Sequence, residues 1–156
     1  MAVWQVAFAI VPRRALTTKA RVPLPEVMDT AWWSAERLPP SYAQQLASIA
    51  PPGPAAGTER QTWGDEDGNR VDVWSENGKA TRMIARVDVR RLDARFGAML
   101  LQFARVADAV LVRGDGLVVE PLVGAFGAAL RTSDAWKHAS DPAAHFASYS
   151  DESEDE

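Results

Sequence analysis

Four oxygen-bearing residues in the stretch "WGDEDGNRVDVWSE" have the spacing of a calcium-binding loop. They fall at positions 1, 3, 5 and 12 of a twelve-residue window and are Asp65, Asp67, Asn69 and Glu76. Position 6 of such a loop is a glycine that allows a sharp turn, but here it is Arg70, and residues 71–75 alternate as a strand does. Acidic residues and asparagine are also typical of tight turns. We therefore predict a hairpin turn and no metal site.

The two histidines belong to a second set of residues with ligand-like spacing. Asp134, His138, Asp141 and His145 recur at i, i+4, i+7 and i+11, which would place them on one face of a continuous helix. Pro142 interrupts this helix, because proline breaks a helix interior and is tolerated in the first turn of a new one. We expect separate short helices here and neither a metal nor another cofactor.

The sequence contains no signature of catalysis. Cysteine is absent, which excludes a thiol nucleophile and a zinc–thiolate site. No Gly-x-Ser-x-Gly elbow and no Gly-x-Gly-x-x-Gly or Gly-x-x-x-x-Gly-Lys loop occurs, and "GDG" at 114–116 reads as a turn. The residues therefore give no specific reason to predict an enzyme.

Length and charge predict a single domain with an acidic tail. The chain has 156 residues, and we place one α+β domain at residues 1–149. The last six residues, "DESEDE", carry five acids, so the formal charge of −4 becomes +1 without them. We predict that residues 150–156 are disordered. A body so close to neutral argues against binding to nucleic acid.

The amino-terminal apolar run is too short to cross a membrane. Residues 2–11, "AVWQVAFAIV", fall well short of the roughly 20 apolar residues that a spanning helix needs. Charged residues follow this run rather than precede it, unlike in a secretory signal. We therefore expect a cytoplasmic protein that does not bind membranes. Arginine outnumbers lysine 14 to 3, which is typical of a GC-rich bacterial genome.

Residues 2–11 instead predict an interior strand, because both alternating faces of the segment are apolar. A helix is the alternative, since short apolar runs are ambiguous. Helices are predicted to begin after Pro39-Pro40-Ser41, after the cap residue Asp93 and at Pro121. The second of these should run to about Asp108 and bury one face. The residues of that face are Phe96, Met99, Leu100, Phe103, Val106 and Ala107.

Turns that end in glycine predict a three-stranded antiparallel meander, with strands at about 60–65, 69–75 and 79–90. At the first turn, Trp63 should stand opposite Val71. At the second, a two-residue loop Asn77-Gly78 would mix apolar and charged side chains on both faces. A three-residue loop pairs Val73 with Thr81 and keeps one face apolar, so we prefer it. The fold class is therefore α+β: an antiparallel or mixed sheet with helices packed on one face.

The opposite face of the meander carries the candidate partner-binding residues. Six side chains alternate onto it: Arg70, Asp72, Trp74, Arg82, Ile84 and Arg86. We expect an exposed apolar pair, Trp74 and Ile84, surrounded by charges of both signs; tryptophan and arginine are enriched in interface hot spots. The alternative is an ordinary solvated sheet face with cross-strand ion pairs such as Asp72–Arg82.

Trp32 and Trp33 mark a second candidate region on irregular chain. Two adjacent tryptophans do not both point inward easily, so one should anchor the loop and the other should lie along the surface or line a groove. Together with His138 and His145, such a groove supports a different hypothesis, a small hydrolase or ligand-binding domain.

The string "WGDEDGNRVDVW…ARVDVRRLD…F", followed by an apolar helix and by "DPAAHF", resembles small uncharacterised bacterial proteins, some of which are similar to immunity-type proteins encoded beside toxins. The resemblance covers about residues 60–146 and rests on turn and core residues, so it implies a fold and carries over no functional residues. Our leading hypothesis is a non-catalytic protein that binds a protein partner, such as a toxin, through the outer face of the meander. Self-association through that face is the remaining alternative.

Overall fold

A six-stranded antiparallel sheet forms the centre of the computed structural model, which describes residues 2–16, 27–39, 41–48, 52 and 59–140. Its strands are β1 (Gln5–Pro12), β2 (Arg60–Gly64), β3 (Arg70–Glu76), β4 (Lys79–Asp88), β5 (Ala109–Arg113) and β6 (Val118–Val119). The helices are α1 (Tyr42–Ala47), α2 (Ala94–Val106), α3 (Val123–Arg131) and α4 (Asp134–Ser140), and a 3-10 turn, Arg13–Ala15, follows β1. The spatial order is β2-β3-β4-β1-β5-β6. The predicted α+β fold is confirmed.

Strand β1 lies inside the sheet, as its two apolar faces predict. It pairs with β4 through Gln5–Ala9 and with β5 through Phe8–Pro12. Its side chains alternate between two apolar clusters, with Phe8 in the larger cluster and Val11 in the smaller one. A strand with apolar groups on both faces is therefore placed where both faces are covered.

The helices cover the sheet face that carries the larger cluster. Asp93 caps α2, because its carboxylate accepts hydrogen bonds from the backbone N–H groups of Arg95 and Phe96. The buried residues of α2 are Phe96, Leu100, Leu101, Phe103 and Ala104. Val106 was predicted to be buried but is 62% exposed. The buried stripe is centred near Leu100, and Val106 lies beyond its edge.

The β2–β3 hairpin has the predicted register. Trp63 stands opposite Val71, and the N–H of Asp65 donates to the carbonyl of Asn69 (3.0 Å). Gly64 enters this turn with a φ of 99°, and a Cβ at this position would collide with the carbonyl oxygen of Asn69. The turn therefore requires glycine at position 64.

The β3–β4 hairpin differs from the predicted register by two residues. The strands meet at a two-residue turn, Asn77-Gly78, in which both residues have positive φ. Thr81 is then an extra residue in β4, which forms a bulge, and Val73 stands opposite Met83 instead of Thr81. The preferred three-residue loop is therefore wrong. Beyond the bulge, this shift of two leaves the side chains on their predicted faces and changes only their cross-strand neighbours. Between the bulge and the turn the alternation is reversed, and Ala80 packs against the larger cluster.

The sheet face opposite the helices, the outer face, is covered at its centre by residues 27–33. The smaller apolar cluster lies here and consists of Ala9, Val11, Val27, Val110 and Val112, with Met28 and Trp32 packed against it. This cover was not predicted from the sequence. It divides the outer face and leaves the part formed by β2, β3 and β4 as a separate surface.

Trp33 fills the gap where β1 and β4 diverge. Pairing between these strands ends at Ala9 and Ile84. Beyond that point, the indole N–H of Trp33 donates to the carbonyl of Ile10 (2.8 Å), and its backbone N–H donates to the carbonyl of Thr81 (2.8 Å). Trp33 is 1% exposed. It is therefore the anchoring tryptophan of the predicted pair.

Several predictions lie outside the described residues. These are the acidic tail at 150–156, the new helix expected to begin near Pro142, and His145. Among the helices that the structure describes, none has the length and apolar character needed to cross a membrane.

Candidate functional site

The six predicted binding residues all belong to the part of the outer face that β3 and β4 form. The residues that alternate with them point the other way, because Val71, Val73, Met83 and Ala85 belong to the larger cluster under the helices. Strand β2 adds two side chains to the same surface. Thr62 stands opposite Asp72, and Arg60 stands opposite Trp74.

Asp72 is the centre of a buried charged group that we call the Asp72 cluster: Asp72, Thr62, Arg70 and Arg86. The Asp72 side chain is 0% exposed. Its carboxylate accepts hydrogen bonds from the hydroxyl of Thr62 (2.5 Å), from Nε of Arg70 (3.1 Å) and from Nη1 of Arg86 (2.6 Å). The two arginine side chains are 14% and 22% exposed. A buried carboxylate with these partners holds both guanidinium groups in fixed positions.

Trp74 forms the second feature of this surface, the Trp74 stack: Trp74, Arg82 and Arg60. The guanidinium carbon of Arg82 lies 4.0 Å from the centroid of the Trp74 ring, and that of Arg60 lies 6.0 Å from it. Both distances are within the range of cation–π attraction. Arg82 also donates a hydrogen bond to the carbonyl of Met28 (2.9 Å). The Trp74 stack is therefore bonded to residues 27–33, which cover the centre of the outer face.

The expected exposed pair of Trp74 and Ile84 is only half present. Trp74 is half-buried, but Ile84 is buried at 3% exposure. The sheet continues past β4 into β1, and Ile84 stands opposite Ala9 of the smaller cluster. The expected Asp72–Arg82 ion pair is also replaced, because the two-residue shift places Arg82 opposite Trp74.

A pocket of about 410 Å³ opens beside the Asp72 cluster, and we call it the arginine pocket. Its lining consists of Ala2, Gln5, Arg60, Glu66, Asp67, Arg70 and Arg86. Nε of Arg60 and Nε of Arg86 are buried and have no hydrogen-bond partner within the described part of the chain. Buried donors without partners are rare in folded proteins. This pocket therefore contains hydrogen-bonding capacity that the described contacts leave unused.

The hairpin turn that resembles a calcium loop forms one wall of this pocket, and its carbonyl groups are used by donors of the protein. Gln5 donates to the carbonyls of Glu66 (3.1 Å) and Gly68 (2.7 Å). The carbonyl of Asp67 accepts from the indole of Trp4 (2.6 Å) and from Arg90 (3.1 Å). Among the residues described, no group of three or more His, Cys, Asp or Glu side chains has a metal-binding arrangement.

Arg90 and Asp88 reinforce the same wall. The Arg90 guanidinium lies 3.8 Å from the centroid of the Trp4 ring and pairs with the Asp88 carboxylate (2.9 Å). Burial acts to raise the pKa of Asp88, but the hydrogen bonds from the side chain and backbone of Arg90 outweigh it and hold this pKa below its usual value. Asp88 is therefore charged at neutral pH and fixes Arg90 over Trp4.

The residues of the alternative groove lie toward opposite ends of β1. Trp33 is buried beside Ile10, and the indole of Trp32 donates to the carbonyl of Val27 (3.0 Å). Helix α4, which carries His138, begins beside Gln5 and Ala7 in a small pocket of about 190 Å³. No contact that the structure describes brings these tryptophans and this histidine together, and His145 is outside the described residues.

Arg60 and Thr62 are the site residues that sequence reasoning missed. Both lie on β2, at positions that pair with Trp74 and Asp72. The correctly predicted pairing of Trp63 with Val71 also implies these two pairs when the register is extended by one and by three residues. The predicted hairpin register was therefore sufficient to find both residues. They were missed because arginine and threonine are common at the start of a strand and do not by themselves indicate a site.

Comparison of the chain with models of protein families, with curated proteins and with solved structures gives no match. The interpretation of the outer face therefore rests on its geometry.

Proposed function

We propose that this chain is a non-catalytic binding protein that recognises a protein partner through the outer face at β2, β3 and β4. The observation that carries the proposal is the Trp74 stack: a half-buried tryptophan ring with one arginine directly over it and another beside it. Tryptophan and arginine dominate the energetics of many interfaces. Here both types stand on a rigid sheet, which lowers the conformational cost of association.

The Asp72 cluster supports the proposal because it orders its arginines before any partner arrives. A long side chain that is immobilised on binding costs about 0.5–1.5 kcal/mol in lost freedom. Arg70 and Arg86 already lose that freedom on folding, through their hydrogen bonds to Asp72. Charges held in this way favour one partner and one orientation over others.

The test is affinity capture with a paired variant, Trp74→Ala with Arg82→Gln. Arg86 is unsuitable for truncation, because its loss would leave Asp72 with one charged partner fewer in a buried site. Trp136→Ala is the matched control, since Trp136 is another half-buried tryptophan but lies on α4 in the helix layer. We expect the control to retain the partner and the paired variant to lose it, with both still folded by circular dichroism.

Equal retention of the partner by the two variants would remove the outer face from consideration. If the wild type retrieves only copies of itself and the paired variant is monomeric by light scattering, the face serves self-association instead.

A narrower form of the proposal is an immunity-type protein in the cytoplasm of a bacterium. It predicts that the captured partner is an enzyme and that adding this protein inhibits its activity. Stoichiometric inhibition by the wild type but not by the paired variant would support this form. A partner whose activity is unchanged would restrict the function to binding.

A further inference from the structure

We propose that the arginine pocket binds a carboxylate group, supplied by an aspartate or glutamate side chain of the protein partner. The source of the carboxylate rests on the proposed function, whereas the preference of the pocket for carboxylate does not. The inference starts from three guanidinium groups that line one cavity of about 410 Å³.

Arg60 is the central residue of this inference. Its contact with Trp74 is a ring contact at 6.0 Å, and the described part of the chain gives it neither a carboxylate partner nor a hydrogen bond for its buried Nε. The Arg60 side chain is half-buried, and a buried Nε donor without an acceptor is unfavourable. An incoming carboxylate would pair with the part of this guanidinium that faces the pocket.

Arg70 and Arg86 contribute donors that remain after they have bonded to Asp72. Arg86 uses Nη1 for Asp72, and its buried Nε has no partner among the described residues. Arg70 uses Nε for the same carboxylate, which leaves its Nη groups to face other acceptors. The Asp72 cluster therefore fixes two guanidinium groups at the wall of the pocket, and both residues contribute to its lining.

The charges around the pocket select a monoanion. Three arginines line it, and two acids, Glu66 and Asp67, line it as well. Asp72, which pairs with Arg70 and Arg86, adds a third negative charge to those of Glu66 and Asp67. These charges offset the three arginines, so the described residues give the pocket directed hydrogen-bond donors without a net positive charge. A phosphate dianion or a nucleic-acid backbone needs such a field, whereas a carboxylate needs a planar pair of donors, which arginine provides.

The first experiment uses the isolated full-length protein and follows the arginine Nε–H signals by ¹⁵N–¹H spectroscopy at constant ionic strength. The probes are sodium acetate, N-acetyl-glutamic acid amide and sodium phosphate, with sodium chloride as the reference. We expect the Nε–H signals of Arg60 and Arg86 to shift and saturate with both carboxylates, with a Kd on the order of millimolar. Phosphate should need a higher concentration.

The matched variants are Arg60→Gln and Arg131→Gln. Arg60 has no ion pair to lose within the described residues, and its contact with Trp74 is at the long end of the cation–π range. Its replacement should therefore shift the melting curve only slightly and abolish the response of Arg86 to acetate. Arg131 is exposed on α3 and should be neutral. Shifts that follow ionic strength alone, or saturation by phosphate before acetate, would overturn the carboxylate site.

The second experiment separates this inference from the proposed function. If Trp74→Ala with Arg82→Gln loses the partner but Arg60→Gln captures it as well as the wild type does, the binding face stands and the partner is not the source of the carboxylate. If acetate saturates the pocket but no partner is captured through the outer face, the pocket still binds carboxylate, but a protein partner is not what supplies it. Loss of the partner in Arg60→Gln, together with competition by acetate, supports the proposal in full.

Discussion

The replacement Asp72→Asn tests whether the buried charge orders the outer face. The amide keeps the shape of the side chain and one acceptor oxygen, but it removes the negative charge and turns an NH₂ group toward donors. Arg70 and Arg86 then face each other across the strands with their shared anion gone, since they stand directly opposite in the β3–β4 register. We expect this single change to be among the most destabilising on the sheet.

The magnitude follows from the burial of the three groups. Breaking a buried ion pair by removing one partner costs about 3–5 kcal/mol. Asp72 is 0% exposed, but the two arginine side chains are 14% and 22% exposed and keep some access to water, so we place the cost near the lower end, about 3 kcal/mol. For a chain of this length, the melting temperature should fall by roughly 6–12 °C.

The assay is urea unfolding with the slope m held to its wild-type value, backed by thermal melting. Asp29→Asn is the matched control, because Asp29 lies 3.6 Å from Arg82 on the same face but is 84% exposed. An exposed pair of this kind contributes about 0–1 kcal/mol. Equal midpoints for the two variants would show that Asp72 is not the anchor of the outer face, and the argument for preordered arginines would fail with it.

Three further predictions concern the fold. Gly64→Ala should lower the free energy of unfolding, measured in urea, by more than about 2 kcal/mol, because residue 64 has a positive φ and a Cβ there would collide with the turn. Gly124→Ala is the control: this glycine lies on a helix with open space around it, so the change should stabilise the protein by up to about 1 kcal/mol. Equal effects of the two changes would contradict the turn geometry. Trp33→Phe removes the donor to a strand carbonyl and should cost at least about 1–3 kcal/mol, and an unchanged midpoint would refute its bridging role. Hydrogen bonding from Arg13, opposed by burial, lowers the pKa of Glu120 below its usual 4.5, so this pair contributes stability above that pH and loses it as the pH falls through the lowered pKa. The urea midpoints of the wild type and Glu120→Gln should differ at about pH 6 and converge at about pH 3. The difference at about pH 6 should correspond to no more than about 1 kcal/mol in the free energy of unfolding, because both side chains are nearly half exposed.

Side-chain alternation explains which parts of the sheet the sequence predicts. The period of a strand is two residues, so Val71 and Val73 could be assigned to the core and Asp72 and Trp74 to the other face without the structure. A register error of two residues leaves those assignments intact. It does change the neighbours, which is why the expected partner of Asp72 was Arg82 and the observed ones are Arg70 and Arg86.

The long-range contacts could not be derived in the same way. Nothing local requires β1 to insert between β4 and β5, or residues 27–33 to cover the outer face beside it. These placements depend on loop closure over tens of residues and on the summed burial of small apolar groups, which no short pattern encodes. The exposure of Ile84 was mispredicted for this reason, since its burial depends on elements distant in the sequence.

The composition of the Asp72 cluster bears directly on why the outer face should bind something. Replacing a buried ion pair by apolar residues of similar size is often neutral or stabilising, so such a cluster is weak evidence for a contribution to stability. What it provides is orientation: two guanidinium groups held at the wall of a pocket, whose lining also contains Arg60, with an Nε that has no partner among the described residues. An apolar core at this place would fold equally well and present no directed donors. The arrangement is therefore consistent with the proposed recognition of a carboxylate, which the stability of the fold does not require.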